Sequence, residues 1–134
     1  MPLEEIINRQ GIIISAPASG AGKTTVTLGL INAFARKGSV QPFKSGPDYI
    51  DSKFQSVAAD RPSYNLDTWA MSSSDILNMI GMVAPSDICI AEGSMGLFDG
   101  VISKGAGGNG STADLASITN WPVILVVDCA KQAQ

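Results

Sequence analysis

The sequence contains no histidine and only two cysteines among its 134 residues. Without an imidazole, neither Cys–His nor Ser–His nucleophilic chemistry can operate within this chain, and histidine cannot ligate a metal. Cys89 and Cys129 lie in or beside apolar runs and form no CxxC pair, which favours a reducing, cytoplasmic setting. Any catalysis must therefore use carboxylates, lysine, hydroxyls, backbone amides or a bound ion.

Long apolar runs and basic runs are also missing. No run approaches the roughly 20 apolar residues that cross a membrane, and the N-terminal MPLEEIINRQG lacks the order of a signal peptide. The net charge of −3, without a basic run, argues against a nucleic-acid partner. The hydrophobic fraction of 45% and mean hydropathy of +0.19 are enough to fill a core. We therefore expect residues 1–134 to form one domain.

Apolar runs alternate with helical patterns along the chain. Residues 11–16, 40–44, 87–91 and 122–128 are predicted strands, and most of them are almost continuously apolar, as in parallel strands covered on both faces. Helices are predicted over 51–59 and 74–83, and in a segment ending before Gly38 whose apolar face would carry Val26, Leu30, Ala33 and Phe34. Ser111 and Asp114 resemble the capped start of another helix, which we expect to run through Ile118. Residues 105–111 are predicted to form a flexible loop. This order predicts a three-layer α/β fold with a mostly parallel sheet.

The segment SGAGKT lies between a predicted strand and a predicted helix, which is the context of a phosphate-binding loop. Its glycines allow backbone N–H groups to surround an anion. Lys23 would reach the β- and γ-phosphates and the Thr24 hydroxyl would ligate Mg²⁺, although Pro17 removes one N–H donor at the start of the loop. The candidate phosphate-binding residues are Ser19, Gly20, Ala21, Gly22, Lys23, Thr24 and Thr25.

Two acidic residues end apolar runs and are candidates for the second magnesium ligand. Glu92 ends ICIAE and leads into a glycine-containing loop, whereas Asp128 ends VILVVD and is explained equally by capping a following helix. Because the carboxyl ends of parallel strands share one edge of a sheet, both would lie near the phosphate loop. We favour Glu92.

The segment FKSGPDYID supplies further polar side chains after a strand. Asp51 is either functional or an N-cap, whereas Asp48 has less structural reason to be there. Lys44 either offsets these carboxylates and binds an anionic substrate, or is an ordinary solvated lysine. Tyr49 is either a contact residue or merely half-buried.

Two positions near these segments remain ambiguous from the sequence. Asp99 lies in a glycine-bounded turn that would reach the same edge, and turn formation alone also explains it. Leu66 and Trp69 would line a wall of the site, but core packing explains both equally well.

Taken together, the segments resemble the cobyrinic acid a,c-diamide synthase family of ATP-dependent amidotransferases, with dethiobiotin synthetase as a more distant relative. The resemblance runs from about Gly11 to the last residue, and Pro17 is shared with the family. Partition-type ATPases are also similar but carry a lysine at the position of Ala18. The resemblance rests on APASGAGKTT, PFKSGPDYID, NLDTW, AEGSMGLFDG and GSTADLA.

The resemblance implies a role for each matching position. Lys23 and the rest of the loop would bind ATP, and Mg²⁺ would be held by Thr24, Asp48 and Glu92. Asp51 matches a carboxylate implicated in catalysis, and we count Lys23, Asp48 and Glu92 with it. The implied reaction phosphorylates a corrinoid side-chain carboxylate and then amidates it with ammonia. Lys44, Tyr49 and Asp99 are the candidate substrate-binding residues.

Family members are longer than this chain, which implies a P-loop NTPase-like fold that is truncated relative to the family. The family's glutaminase domain, which uses cysteine and histidine, would be absent, so ammonia or a separate glutaminase domain would have to supply nitrogen. We further expect an open sheet edge at residues 122–128, which favours a homodimer. Two alternatives remain: a stand-alone nucleotide-binding module without amidotransferase activity, and a ligase of the dethiobiotin synthetase type.

Overall fold

A computed structural model describes residues 9–130. Strands and helices alternate along this part of the chain, as predicted. In chain order they are β1 (Gly11–Ser15), α1 (Lys23–Ala35), β2 (Val40–Ser45), α2 (Ile50–Ala59), β3 (Tyr64–Leu66), α3 (Ser73–Met82), β4 (Ile88–Glu92), α4 (Thr112–Thr119) and β5 (Val123–Leu125).

The strands form one parallel sheet in the order β3-β2-β4-β1-β5. The register places Glu92 of β4 opposite both Ile14 of β1 and Lys44 of β2. The three neighbouring strands therefore end within one residue of the same level, and the segments that follow them leave from one edge of the sheet.

Helices cover both faces of the sheet, which confirms the α/β class. On one face, α1 and α2 pack on an apolar cluster that contains Ile14, Ile31 and Ile90. On the other, α3 and α4 enclose a larger cluster around Phe43 and Leu115. No helix within residues 9–130 is long and apolar enough to cross a membrane.

The strand predictions are correct for four strands and missed one. β3 has only three residues, of which Tyr64 is exposed, so it carries no apolar run. β5 is shorter than predicted, at three residues, although Val126 N still donates to Ser15 O at 2.8 Å.

The predicted apolar face of α1 is wrong for Val26, Ala33 and Phe34, and of the predicted residues only Leu30 packs against the core. Thr27 and Ile31 are its buried residues, whereas Val26 and Phe34 are 37% and 42% exposed. Apolar side chains surround most of this helix, so their spacing does not decide which face meets the sheet. Thr27 is tolerated inside because its hydroxyl donates to Lys23 O at 2.8 Å.

The start of α4 is as predicted, and the loop before it is not. Ser111 Oγ accepts a hydrogen bond from Asp114 N at 3.2 Å and caps the helix. The predicted flexible loop is packed against the segment after β3, because Ala106 N donates to Trp69 O at 2.8 Å and Gly107 N to Thr68 O at 2.9 Å. A Cβ at residue 105 or 107 would overlap backbone carbonyls, which explains the glycines.

Candidate active site

The loop between β1 and α1 is rich in glycine and leads directly into the first turn of α1. Gly20 and Gly22 have φ values of 83° and 89°, which only glycine adopts without strain, and nothing lies within 4 Å of either Cβ position. No side chain caps the N-terminus of α1. Because the first N–H groups of a helix have no intrahelical acceptor, this end can receive an anion. Pro17 to Gly20 are exposed at the rim, and Thr25 is exposed in the first turn of α1.

Glu92 is the fully buried centre of the polar cluster at this edge. Its Oε1 accepts a hydrogen bond from Thr24 Oγ1 at 2.7 Å and lies 3.8 Å from Lys23 Nζ. β4 ends at this residue and α1 begins at Lys23, so the parallel register of β1 and β4 brings the three side chains together.

Lys44 joins the carboxylates that follow β2 to Glu92. Its Nζ lies 3.1 Å from Asp51 Oδ2, 3.5 Å from Glu92 Oε1 and 3.8 Å from Asp48 Oδ2. The side chain is only 4% exposed, so it is a buried ion-pair partner and not a solvated lysine. With Lys23, the cluster holds two ammonium groups and three carboxylates, which leaves one negative charge in excess.

The surroundings shift two pKa values in the cluster. Burial lowers the pKa of Lys23, and the positive charge of Lys44 adds to this effect, while Glu92 opposes it. Burial alone would raise the pKa of Asp48, but hydrogen bonds from the backbone N–H groups of Asp51 and Ile50 bring it below its usual value.

Of the two aspartates after β2, Asp48 has a structural role that the sequence analysis did not assign to it. Asp48 Oδ1 accepts hydrogen bonds from Ile50 N at 2.9 Å and Asp51 N at 3.2 Å, so it is Asp48 that satisfies the start of α2. The N-cap interpretation of Asp51 is wrong, because Asp51 lies in the first turn and its side chain faces Lys44.

Gln55 belongs to the site and the sequence analysis missed it. It is fully buried, donates from Nε2 to Glu92 Oε2 at 2.8 Å, and accepts from Ser63 Oγ at 2.9 Å. The sequence signal that could have found Gln55 is its spacing, because Ser52 and Gln55 are three residues apart and so share one face of α2. In the structure both residues of this polar face are buried.

Tyr49, Asp99 and Asp128 lie outside this cluster. Tyr49 is 72% exposed. Asp99 Oδ2 accepts from Gly96 N at 2.9 Å within its own turn, and Asp128 Oδ1 accepts from Ala130 N at 2.9 Å. Val127 and Asp128 line a cavity of about 300 Å³ with the phosphate loop. Of the two candidate strand-end acids, Glu92 is therefore the one that contacts Lys23 and Thr24.

The oxygen atoms around Glu92 have the chemistry that Mg²⁺ prefers. Within residues 9–130, no three histidine, cysteine or acidic side chains are grouped as a metal-binding set. The Thr24 hydroxyl and the Glu92 carboxylate are hard oxygen donors 2.7 Å apart, beside a surplus negative charge. These residues fit Mg²⁺ whose other ligands are phosphate oxygens and water, and do not form an all-protein cage.

Comparison with known families agrees with this geometry. Residues 12–131 match the family described as the CobQ/CobB/MinD/ParA nucleotide binding domain. The chain belongs to this family. It is thus a nucleotide-binding domain with an α/β, P-loop NTPase-like fold. No solved structure matches the chain significantly.

Similar curated proteins are hydrogenobyrinate a,c-diamide synthases. The chain is 51% identical over 126 residues to that of Rhodobacter capsulatus, covering 93% of this chain and 29% of the relative. It is 50% identical over 127 residues to that of Brucella ovis and 49% identical over 123 residues to that of Rhizobium meliloti, covering 92% and 90% of this chain. The chain spans about 28% of the length of these two relatives.

Proposed function

We propose that this domain binds Mg·ATP and serves as the ATP-binding synthetase module in the amidation of corrinoid side-chain carboxylates. The observation that carries the proposal is the convergence of Lys23, Thr24 and Lys44 on the buried carboxylate of Glu92, directly beside an uncapped helix N-terminus. The similar synthases, whose name specifies hydrogenobyrinate and diamide formation, indicate the substrate class.

The nucleotide would be held mainly by backbone N–H groups between Ser19 and Thr25. Lys23 would pair with the β- and γ-phosphates, and Thr24, Glu92 and Asp48 would hold Mg²⁺. When bound, Mg²⁺ offsets charge on the phosphate oxygens. The cluster's excess negative charge favours this cation even before the nucleotide adds its own phosphates.

The chemistry requires a carboxylate and a triphosphate to approach each other. One carboxylate oxygen of the corrinoid takes the γ-phosphoryl group and ADP leaves. Ammonia, free or supplied by a separate glutaminase domain, then displaces phosphate and loses a proton to give the amide. Two anions must meet for the first step, so the ammonium groups of Lys23 and Lys44 reduce the repulsion.

Asp51 would keep Lys44 directed into the site through their 3.1 Å contact. Lys44 is the proposed contact for the substrate carboxylate, with Tyr49 and Asp99 bordering the bound substrate. Tyr49 is suited to this because its ring is largely exposed beside Asp48.

Calorimetric titration of Mg·ATP into the full chain tests the nucleotide site. Lys23→Ala removes a charged contact worth about 1.5–3 kcal/mol, so affinity should fall roughly tenfold or more. Lys37→Ala is the matched control, because Lys37 is exposed beyond the far end of α1. Unchanged Mg·ATP affinity in Lys23→Ala would show that the site is assigned wrongly.

Turnover separates the proposed reaction from a binding function alone. We expect ATP hydrolysis to be stimulated by hydrogenobyrinate together with ammonia. Stimulation by diaminopelargonate and CO₂ would instead indicate chemistry of the dethiobiotin synthetase type. Binding without turnover under either condition would indicate a nucleotide-binding module that requires further protein for catalysis.

A homodimer is a second proposal about partners. Within residues 9–130, β5 is an edge strand, and three apolar side chains in it or just after it, those of Ile124, Leu125 and Val127, are 43%, 46% and 55% exposed. Exposed apolar strand edges favour pairing with another chain.

A further inference from the structure

We propose that a cavity beside the lysine and carboxylate cluster binds the ring face of the corrinoid, with Trp69 as its stacking wall. This inference rests on the proposed function, because it assigns the site of that substrate. The cavity has a volume of about 580 Å³ and lies between the segments that follow β2, β3 and β4. That volume is within the range of about 300–1,000 Å³ typical of small-molecule sites.

The cavity adjoins the atoms that would react. Two of its lining residues, Gly46 and Ser94, each lie two positions after a residue of the cluster, Lys44 and Glu92 respectively. Pro47 lines it as well and immediately precedes Asp48. A ring seated in the cavity would therefore present a peripheral carboxylate to Lys44, on the side of the cluster facing away from β1 and its phosphate loop.

Trp69 is held rigidly, yet its side chain does not fill the core. Its N donates to Asp67 Oδ1 at 2.9 Å and its O accepts from Ala106 N at 2.8 Å. Gly105 is packed so closely on the Trp69 backbone that a side chain there would collide with it. The residue nevertheless remains 48% exposed. A half-exposed indole on a firmly held backbone is suited to stacking against a conjugated ring, because the chain segment that carries it needs no ordering on binding.

Met95 and Val101 add apolar surface to the lining of the cavity. Met95 and Val101 are 61% and 49% exposed. Met95 has φ 50°, a left-handed conformation that costs a non-glycine residue about 1–3 kcal/mol. The preceding residue is held on both sides, since Ser94 N donates to Thr112 Oγ1 at 3.2 Å and Ser94 Oγ donates to Ser45 O. The lining of the cavity thus combines an indole with exposed apolar side chains, and the backbone under Trp69 and beside Met95 is held by hydrogen bonds.

The charges in the cavity favour the ring over the carboxylates of the corrinoid. Asp67 and Asp99 line it, and each has one carboxylate oxygen that accepts backbone N–H bonds. Their negative charge would repel free carboxylates, whereas Lys44 attracts one at the edge near Asp48. The ring face is therefore the part that enters, and one carboxylate side chain is directed to the cluster.

Binding of hydrogenobyrinate to the full chain tests this assignment. Affinity is measured by equilibrium dialysis, with Mg·ATP binding measured on the same samples by calorimetry. Trp69→Ala should weaken hydrogenobyrinate binding about tenfold or more and leave Mg·ATP affinity unchanged. Met95→Ala is a second variant with a smaller expected loss. Phe34→Ala is the matched control, because Phe34 is a similarly exposed aromatic residue, at 42%, on the far end of α1.

Tryptophan fluorescence gives a second readout that reports position. The other tryptophan, Trp121, is 8% exposed and packs against Phe43, with ring centroids 6.2 Å apart. Saturable quenching by hydrogenobyrinate should persist in Trp121→Phe and be largely lost in Trp69→Phe. Citrate, a polycarboxylate without a ring, should produce no quenching.

The outcomes separate this inference from the proposed function. Hydrogenobyrinate affinity that is equal in wild type and folded Trp69→Ala, with normal Mg·ATP binding, would overturn the ring site alone. Absence of hydrogenobyrinate binding by a chain that binds Mg·ATP would overturn it too. Failure to bind Mg·ATP at all would instead contradict the proposed nucleotide function.

Discussion

Gln55 controls the orientation of the carboxylate on which the site is built. Glu92 has two oxygens in a fully buried position, and Gln55 occupies Oε2 while Thr24 and the lysines face Oε1. Ser63 Oγ donates to the other end of the Gln55 amide, and because a carboxylate only accepts, Glu92 fixes Nε2 of Gln55 as the donor. The carboxylate is thereby prevented from rotating away from the phosphate loop. We regard Gln55 as a positioning residue and not as a catalytic one.

Gln55→Leu should weaken Mg·ATP binding by roughly tenfold, because a hydrogen bond to a charged group contributes about 1.5–3 kcal/mol. Binding of ATP without Mg²⁺ should change less, since Glu92 is expected to act through the cation. Calorimetry with and without Mg²⁺ distinguishes this from general destabilisation, and Lys53→Ala on the exposed face of α2 is the control. Equal losses with and without Mg²⁺ would mean that Gln55 is only structural.

The sequence predicted which single residues lie in the site only where those residues follow directly from the end of a parallel strand. Lys23, Thr24 and Glu92 were expected together because parallel strands end at one edge, and they are in contact. Gln55 could not be placed in this way, because its role depends on which face of α2 meets the sheet. The roles of Asp48 and Asp51 depended on a turn geometry that their spacing alone does not determine.

At the level of elements, local sequence patterns predicted helix ends correctly where a particular side chain forms a hydrogen bond with a particular backbone group. The start of α4 was predicted from Ser111 and Asp114, and the same type of contact is present in the structure. The buried face of α1 was predicted from apolar spacing alone and was wrong. β3 was missed because a three-residue edge strand depends on pairing with β2, which no local pattern encodes.

The capping box of α3 gives a test at this level. Ser72 Oγ accepts from Asp75 N at 3.1 Å, and Asp75 Oδ2 accepts from Ser72 N at 3.0 Å. Ser72→Ala should lower the free energy of unfolding by about 1 kcal/mol, as for other N-cap residues. Chemical denaturation measures this change, with Ser74→Ala at an exposed position of the same helix as the control.

Mg·ATP affinity should not change in Ser72→Ala, because α3 packs on the face of the sheet opposite α1 and α2. A loss of stability no greater than that of Ser74→Ala would show that the cap contributes little. A change in nucleotide affinity would show that the two faces of the sheet are coupled.

At the level of the whole molecule, the order of the strands places the proposed nucleotide site and the proposed substrate site at different positions along the carboxyl edge of the sheet. β1 and β5 border the phosphate loop and its shallow cavity, whereas β2, β3 and β4 border the larger cavity. The cluster of Lys44, Glu92 and the two aspartates lies between them. A single parallel register thus places a proposed nucleotide site and a proposed carboxylate site on either side of the groups that would neutralise both.

The same strand order leaves β5 at the end of the sheet, and this makes self-association testable. Outward-facing N–H and C=O groups of an edge strand can pair with another chain, and a charge on the edge opposes this pairing. Light scattering at tens of micromolar should therefore detect a dimer for the wild-type chain and mostly monomer for Leu125→Lys. Val57→Lys introduces the same charge at a residue that is 83% exposed on α2, and it should remain dimeric. A strictly monomeric wild-type chain would contradict the proposal, and equal dissociation of both variants would attribute association to net charge and not to the β5 edge.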